Sequence, residues 1–210
     1  IVLAPDAKHL VSDINTHLEN LPNIRIIELS RNFGEGTIIQ MAKDYAKYDL
    51  ILTLPPYEQV ESAELVTLFD QIDDEFDMVV ARRWPRTDKQ VNRWQTKLFN
   101  RSLSKLSGME YQDLGCSVRL FKKSILDDTT LYGDQHRFLP IIANNQGYNA
   151  KEIDIKQSDL DANYSRVYSP GTYLRRMLDL LSIIFLTKFN KKPLRFFGIL
   201  GASSLFFGLA

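Results

Sequence analysis

Polar and charged side chains follow two apolar runs of this sequence, at points where buried strands are expected to end. Arg31 and Asn32 lie in the loop after residues 26–29, and Gln59 lies in the loop after residues 50–54. An arginine can pair with a diphosphate, and an asparagine can bind backbone or ribose groups. Because open α/β sheets bind ligands outside the carboxyl ends of their strands, these two loops are the first candidates for a binding site.

The elements that would position these loops form a strand, helix, strand pattern. Two short apolar runs, at 26–29 and 50–54, flank apolar residues that recur at helical spacing between positions 38 and 45. Runs of this length on either side of an amphipathic helix predict a βαβ unit with buried parallel strands.

The rest of the chain continues to alternate between strands and helices. Strands are predicted at 77–81, 117–121 and 148–155, helices at 9–18, 62–72, 92–106 and 138–145, a polar loop at 158–171, and a long amphipathic helix at 173–189. The expected fold class is α/β, with a mostly parallel sheet sandwiched by helices.

Composition narrows the range of functions. The 210 residues carry 26 basic and 26 acidic side chains, so no electrostatic preference for nucleic acid is visible. The single cysteine, Cys116, excludes a disulfide within the chain and a multi-cysteine metal site. We expect it to be a small packed residue rather than a nucleophile.

Both ends of the sequence lie in apolar runs, which predicts a fragment of a longer protein. Residues 196–210 carry no charge, but they are fewer than the roughly 20 residues that span a bilayer. We interpret them as the start of a transmembrane helix; the alternative is a buried C-terminal helix of a soluble protein. The basic residues before them favour the cytoplasmic side: Lys188, Lys191, Lys192 and Arg195.

Six stretches occur in the order that is typical of one enzyme family: LSRNFG (29–34), ILTL (51–54), DLGCSVRLFKKSIL (113–126), HRFLP (136–140), QGYNAKEIDI (146–155) and KKPLRFFGILG (191–201). The chain resembles the family 2 glycosyltransferases of the GT-A fold, in the dolichol-phosphate mannosyltransferase-like branch that acts on polyprenyl phosphates. The resemblance implies a GT-A domain over 1–169 without its first strand, an interfacial helix over 170–192 and the start of a transmembrane segment over 193–210.

The resemblance also implies a reaction. A sugar would pass from a nucleotide sugar to a polyprenyl phosphate at the cytoplasmic face of the cell membrane, for cell-envelope glycan synthesis or modification. The protein would mainly position two anions and neutralise the leaving diphosphate. The expected partners are the two substrates and the membrane, with a homo-oligomer as an open option and no nucleic acid.

Individual residues take implied roles from the family positions that they match. Asp113 is the expected catalytic carboxylate, which would orient the acceptor or act as a base; the alternative is a turn-forming residue. Donor contacts are expected from Asp6, Arg31, Asn32 and Gln59, and acceptor-phosphate contacts from Arg119, Arg137, Ser165 and Arg166. The alternatives for several of these are structural, such as an N-terminal helix cap at Asp6. The basic group Arg82, Arg83 and Arg86 would face lipid headgroups or phosphate, or form an ordinary exposed loop.

A divalent cation, Mg²⁺ or Mn²⁺, is expected for the family and would be held by an acidic DXD-like motif. Here Pro55 and Tyr57 stand at the positions of the two aspartates, so the motif is degenerate. Glu58 could take over as a ligand, or it could be a solvated residue at a helix start, where acidic side chains suit the dipole. Without a metal, Arg31 and Arg166 are candidates to replace its charge.

Two other functions stay open at this point. A catalytically inactive relative would act as a partner or regulator of a cell-envelope glycan system, and the replaced acidic motif favours it. A soluble nucleotide-binding domain would require residues 196–210 to pack internally.

Overall fold

The structure of the chain, a computed structural model, describes residues 2–3, 25–31, 33–87, 111–131, 133 and 135–163, with isolated helical positions between 178 and 208. Four predicted site residues lie outside this range: Asp6, Asn32, Ser165 and Arg166. The helices predicted at 9–18 and 92–106 also lie outside it, and so does nearly all of the C-terminal region from 170 onward. Within the part that is described, none of the helices has the length and apolar character needed to cross a bilayer.

The described elements alternate as the sequence predicts, with two short 3₁₀ segments among them. The strands are β1 (Val2–Leu3), β2 (Ile27–Glu28), β3 (Leu50–Thr53), β4 (Met78–Arg83), β5 (Arg119–Lys122) and β6 (Ala150–Ile155). The helices are α1 (Glu35–Lys43), α2 (Val66–Phe69), α3 (Ser124–Asp128), α4 (Leu139–Gln146) and α5 (Asp159–Asn163), and the 3₁₀ segments are Ser62–Glu64 and Gln135–Phe138.

Four of the strands form one mixed sheet in the order β3-β5-β4-β6. Both β3 and β4 pair antiparallel with β5, whereas β4 pairs parallel with β6. The prediction of a mostly parallel sheet is therefore wrong for two of these three ladders. Because β3, β4 and β6 point the same way, their carboxyl ends and the start of β5 lie at one edge, which we call the carboxyl edge.

The predicted βαβ unit is also corrected. β2 pairs in parallel with β1 in a two-stranded sheet, whereas β3 pairs with β5. In the described ladders the two strands are therefore not neighbours, although α1 between them confirms the predicted helix. Among the described strands, β3 lies at an end of the four-stranded sheet, and Leu50 is 37% exposed.

β4 is the most buried strand, and its alternating side chains separate two apolar clusters. Met78 and Val80 pack into a cluster with residues of α3 and α4, and Val79 and Ala81 pack into a second cluster that includes Leu68 of α2. Successive side chains of a strand point to opposite faces, so helices cover the sheet on both sides. This layering holds the carboxyl ends of the strands in fixed positions.

Two helix ends show how local sequence decides local structure. Gly147 follows α4 at a φ of +101°, and its N–H donates to the Asn144 carbonyl (3.1 Å), which ends the helix where the sequence predicts. The polar loop predicted at 158–171 instead begins with α5. There the Ser158 hydroxyl accepts the Leu160 N–H (3.2 Å), an N-terminal cap that the sequence prediction missed.

Gly34 precedes α1 at a φ of +83°, and a Cβ added there would lie 2.8 Å from the Gly133 Cα. We expect Gly34→Ala to lower the free energy of unfolding by about 3 kcal/mol, because strain at positive φ adds to a backbone clash. Gly147→Ala is the matched control: its φ is also positive, but its Cβ would meet nothing within 4 Å. Strain alone should cost about 1 kcal/mol there. Urea unfolding measures both, and equal losses would contradict a close approach of the two glycines.

Candidate functional site

The loops that follow β3, β4 and β6 meet at the carboxyl edge. The Trp84 N–H donates to the Ile155 carbonyl (2.9 Å), which joins the ends of β4 and β6. The Gln59 side-chain oxygen accepts the Ser117 N–H (2.7 Å), and its main-chain carbonyl accepts the Ser158 N–H (3.1 Å). The buried Gln59 therefore ties the loop after β3 both to the approach to β5 and to the end of β6.

A buried ion pair lies at the carboxyl edge. Arg83 Nε lies 2.7 Å from Asp113 Oδ2 and Arg83 Nη2 lies 2.8 Å from Asp113 Oδ1, which makes the pair bidentate. Arg83 Nη1 lies 2.9 Å from Oδ2 of Asp161, on α5. Asp113 is 1% exposed and Arg83 is 7% exposed, so solvent barely screens the attraction.

The charges of this pair stabilise each other. Burial alone would raise the pKa of the Asp113 carboxyl, but Arg83 outweighs it and holds that pKa below its usual value. Burial likewise opposes the charge of Arg83, yet Asp113 and Asp161 hold its pKa well above the usual value. Arg86 Nη1 also lies 3.5 Å from Asp113 Oδ1. With both oxygens engaged, Asp113 is placed to position arginines; its predicted role as a base has no support in this geometry.

The three arginines of the basic group, Arg82, Arg83 and Arg86, occupy different environments in the structure. Arg83 is interior, which corrects the prediction for that residue. Arg82 points to the surface and pairs with Asp154 of β6 through two hydrogen bonds. Arg86 is partly buried and lies next to the buried pair.

Arg119 lies in the interior and supports the turn that carries Asp113. Its guanidinium donates to the main-chain carbonyls of Leu114 (3.2 Å), Cys116 (3.0 Å), Arg137 (3.3 Å) and His136. Burial lowers the pKa of Arg119 to about 10. A buried guanidinium that faces carbonyls is not placed to meet a lipid phosphate, so the acceptor contact predicted for Arg119 stays without support here.

Cys116 fits its predicted role as a packed residue. The side chain is fully buried next to β5, and burial raises the pKa of its thiol to about 12. A thiol with so little thiolate at neutral pH is a poor nucleophile.

The loop that contains Arg31 leads into α1, and contacts that the sequence did not predict hold the start of this helix in place. Oε2 of Glu35, at the start of α1, lies 2.8 Å from Nε2 of the buried His136. This hydrogen bond holds the pKa of Glu35 below its usual value. The Gly36 N–H also donates to the Gly133 carbonyl (2.7 Å). Together these contacts fix the start of α1 against the segment that leads into α4.

Two predicted cations flank this junction. Arg31 is exposed, and its guanidinium lies 4.7 Å from the centroid of the Phe33 ring. Arg137 is half-buried, directly follows His136, and interacts electrostatically with Glu35. The structure thus brings the segments of Arg31 and Arg137 together, as a shared binding region requires.

The carboxylate predicted as a metal ligand is engaged by its own loop. Glu58 Oε1 accepts the N–H (3.1 Å) and the hydroxyl of Ser62, and Oε2 accepts the Ser158 hydroxyl (3.2 Å). These bonds, led by the one from the Ser62 hydroxyl, hold the pKa of Glu58 below its usual value. Glu58 therefore joins Ser62, the first residue of the 3₁₀ segment Ser62–Glu64, to Ser158.

The neighbouring side chains offer no replacement. The Pro55 side chain has no atom that could bind a metal ion, and the Tyr57 hydroxyl accepts a hydrogen bond from the Gln59 amide. Among the described residues, no three His, Cys, Asp or Glu side chains are grouped so that they could hold a metal ion. A divalent cation prefers several oxygen ligands, usually with carboxylates among them. The described side chains of this loop do not fit one.

A further carboxylate holds the turn before β5 from the side of β6. Glu152 accepts the Asp113 N–H (2.8 Å) through Oε1 and the Gln112 N–H (2.9 Å) through Oε2. Burial raises the pKa of Glu152 above its usual value, and the two N–H groups only partly oppose this. No sequence signal marks Glu152 as a partner of Asp113, because the two are joined only by the fold.

The chain is similar in sequence to curated sugar transferases. No family model matches the chain. The undecaprenyl-phosphate 4-deoxy-4-formamido-L-arabinose transferase of Pseudomonas fluorescens is 27% identical over 188 residues, 90% of this chain and 55% of that protein. The dodecaprenyl-phosphate galacturonate synthase of Rhizobium johnstonii is 28% identical over 185 residues, 85% of this chain and 54% of that protein. The chain is a homologue of the polyprenyl-phosphate sugar transferases. It spans about half the length of these curated relatives.

Solved structures identify the fold. Glucosyl-3-phosphoglycerate synthase from Mycobacterium tuberculosis, solved with UDP, matches with a TM-score of 0.57 at 7% identity, over 89% of this chain and 66% of that one. Mannosyl-3-phosphoglycerate synthase from Rubrobacter xylanophilus matches with a TM-score of 0.52 at 10% identity, over 92% and 64%. The homologue of the polyprenyl-phosphate sugar transferases described here therefore has the GT-A glycosyltransferase fold.

The Arg83–Asp113 pair should dominate the stability of the carboxyl edge. We expect Asp113→Ala to lower the free energy of unfolding by about 3 kcal/mol, because it leaves a buried guanidinium without its main partner. Asp154→Ala is the control, since it breaks the exposed pair with Arg82 and should cost less than about 1 kcal/mol. Chemical unfolding of both variants measures the difference. Similar losses would contradict a dominant buried pair.

Glu152 should act through an accepting oxygen rather than through its charge. We expect Glu152→Ala to cost about 1 to 2 kcal/mol by leaving two N–H groups unpaired, and Glu152→Gln to stay close to the parent protein. Since the folded pKa is raised, the contribution of Glu152 to stability is largest at acidic pH and is lost as the pH rises through that pKa. Unfolding free energies measured from acidic to neutral pH should show this slope in the parent but not in Glu152→Gln. An identical pH dependence would sink this assignment.

Proposed function

We propose that the chain is the glycosyltransferase domain of an enzyme that transfers a sugar from a nucleotide-sugar donor to a polyprenyl phosphate. The observation that carries this proposal is similarity, over 85 to 90% of the chain, to a transferase and a synthase whose names contain a polyprenyl phosphate. The fold supports it, because one relative with a TM-score of 0.51 was solved with UDP-glucose, Mn²⁺ and glycerol 3-phosphate.

In the proposed reaction, an oxygen of the acceptor phosphate forms a bond to the anomeric carbon of the sugar. The bond between that carbon and the donor diphosphate breaks, and its electron pair leaves with the nucleoside diphosphate. The acceptor phosphate is ionised at neutral pH, so the reaction needs no general base. That requirement agrees with an Asp113 carboxylate whose two oxygens are already held by arginines.

The chain must then supply positive charge and fixed positions. Arg31 and Arg137, on the two segments joined through Glu35 and His136, are the proposed contacts to the anionic part of a substrate. Gln59 is buried and both ends of its amide are bonded within the protein, so its predicted donor contact has no support in this geometry. The predicted contacts of Asp6, Asn32, Ser165 and Arg166 remain part of this proposal. The proposed location is the cytoplasmic face of the cell membrane.

A divalent cation would neutralise the leaving diphosphate in the family, and a structural relative was solved with Mn²⁺. The described side chains after β3 do not fit that ion, so no step is assigned to it. This misfit favours one second candidate function, a catalytically inactive relative that keeps the fold as a partner or regulator.

Titration calorimetry separates the two candidates. The protein is titrated with a panel of nucleotide sugars, with Mn²⁺ and with a chelator, and transfer to undecaprenyl phosphate in vesicles is then assayed. Donor binding with transfer of the sugar supports the enzyme. Absence of donor binding in both conditions supports the inactive relative.

The two flanking cations give a sharper prediction for the enzyme. We expect Arg31→Gln to weaken donor affinity, and Arg137→Gln to reduce kcat/KM for the acceptor, each by about tenfold to a hundredfold, the range of a lost charge-assisted hydrogen bond. Arg25→Gln is the control, because Arg25 stacks on Tyr45 away from this junction and should leave both quantities unchanged. If the three variants behaved alike, the assignment of Arg31 and Arg137 would fail.

A further inference from the structure

Glu35 is a carboxylate that the proposed reaction does not use, although it lies at the junction of two proposed anion contacts. It is the first residue of α1 and stands four positions after Arg31. Its Oε2 lies 2.8 Å from Nε2 of His136, the residue that directly precedes Arg137. Because a negative charge opposes the binding of an anion, a carboxylate at this place calls for a physical reason.

Both partners of this hydrogen bond belong to anchored segments. Further along α1, Nε2 of Gln40 donates to the Leu126 carbonyl (3.0 Å), which holds the helix against α3. His136 is 2% exposed, and its main-chain carbonyl accepts a hydrogen bond from the buried Arg119. The Glu35 carboxylate is therefore held in a defined position next to the segment that carries the proposed acceptor contact.

The hydrogen bond leaves Glu35 its negative charge. A carboxylate only accepts hydrogen bonds, so the proton between the two side chains lies on Nε2 of His136. The other ring nitrogen, Nδ1, is buried and has no hydrogen-bond partner among the described residues. A second proton on Nδ1 would be a buried donor without an acceptor, which is unfavourable. His136 is therefore best accommodated as a neutral ring that donates to Glu35 without neutralising it.

The charge of Glu35 acts on Arg137. The hydrogen bond from His136 contributes most to the lowered pKa of Glu35, and the positive charges of Arg137 and Arg119 add to it. Electrostatic attraction is mutual, so Glu35 weakens the positive potential that Arg137 presents to a ligand. The Arg119 guanidinium is committed to main-chain carbonyls, whereas Arg137 forms no ion pair within the described part of the chain. Arg137 is therefore the cation whose affinity for an anion Glu35 can adjust.

We propose that Glu35 has two separable roles at the Arg137 contact: its hydrogen bond to His136 positions the contact, and its charge limits the affinity of that contact for phosphate groups. This inference rests on the proposed function, because that function makes Arg137 a contact to the acceptor phosphate. Its consequence is that phosphate groups are held loosely enough for an anionic product to leave. Glu35 is a positioning residue in this proposal, and no step of the reaction passes through it.

Two substitutions separate these roles. Glu35→Gln keeps an accepting oxygen and loses the charge, and Glu35→Ala loses both. Inorganic phosphate is titrated into the full chain without a nucleotide sugar, and binding is followed by the side-chain Nε–H NMR signal of Arg137, identified by its loss in Arg137→Gln. We expect Glu35→Gln to bind phosphate about two- to fivefold more tightly than the parent protein, the effect of one partly exposed charge, and high salt to reduce the difference. Glu35→Ala should bind phosphate more weakly than Glu35→Gln and should lower the midpoint of urea unfolding, because it leaves the buried Nε2–H of His136 unpaired.

Asp44→Asn is the matched control, because it changes the net charge of the protein by the same amount as Glu35→Gln. Asp44 is exposed and follows the other end of α1, about 14 Å along the helix axis from Glu35. That distance exceeds the screening length of about 8 Å at physiological salt, so Asp44→Asn should leave phosphate affinity unchanged. If Glu35→Gln does not fold, Glu35→Ser gives the same comparison, since it removes the charge and keeps an oxygen that can accept.

The outcomes separate this inference from the proposed function. Tighter phosphate binding by Glu35→Gln, with none by Asp44→Asn, supports the two roles of Glu35 whether or not any sugar is transferred. Unchanged or weaker binding by Glu35→Gln would overturn the inference even if transfer is observed. Equal tightening in the two variants would assign the effect to net charge and would also overturn it. So would an Arg137 signal that does not respond to phosphate in either the parent protein or Glu35→Gln.

Discussion

The buried pairing of Arg83 with Asp113 is the constraint on which the candidate site depends. It joins the end of β4 to the turn that precedes β5, and the contact with Asp161 extends the link to α5. Burying two opposite charges is unfavourable unless each is fully hydrogen-bonded, and here the bidentate geometry and the neighbouring donors meet that condition. Three segments that are far apart in sequence therefore have a common reference point at one edge of the sheet.

A second, parallel set of contacts organises the other half of the site. The hydrogen bond between Glu35 and His136 holds the start of α1 against the segment before α4. Arg119 donates to the main-chain carbonyls of that same segment. Arg119 also binds carbonyls of the turn that contains Asp113. The loop of Arg31 and the carboxyl edge are thus linked through one interior guanidinium, whose planar array of donors suits this task better than a lysine would.

The sequence predicts the local elements of this protein better than their arrangement. α1, α4, β4 and β6 follow from apolar spacing and, for α4, from a glycine that ends the helix. The antiparallel direction of β5 does not follow, since a short apolar run carries no record of its partners. α5 was missed although Ser158 followed by acidic residues is a typical helix start.

The site shows the same division between local and distant information. The ordered motifs located Gln59, Asp113 and Arg137 in the regions that the structure brings together. The partners Arg83 and Asp161 lie 30 and 48 residues from Asp113 in the chain, and only folding places them beside it. Arg119 was predicted to contact the acceptor phosphate, whereas in the structure it is buried and donates to main-chain carbonyls.

The loop after β3 has a consequence for how this protein could change in evolution. Tyr57 holds the amide of Gln59, which in turn anchors the approach to β5, while Glu58 satisfies the first turn of the following helical segment. An aspartate at position 57 would supply one carboxylate as a metal ligand. The same substitution would remove the Tyr57 hydroxyl, which accepts a hydrogen bond from the Gln59 amide. Introducing an acidic motif here would therefore require several coordinated substitutions, and single substitutions would first loosen the loop.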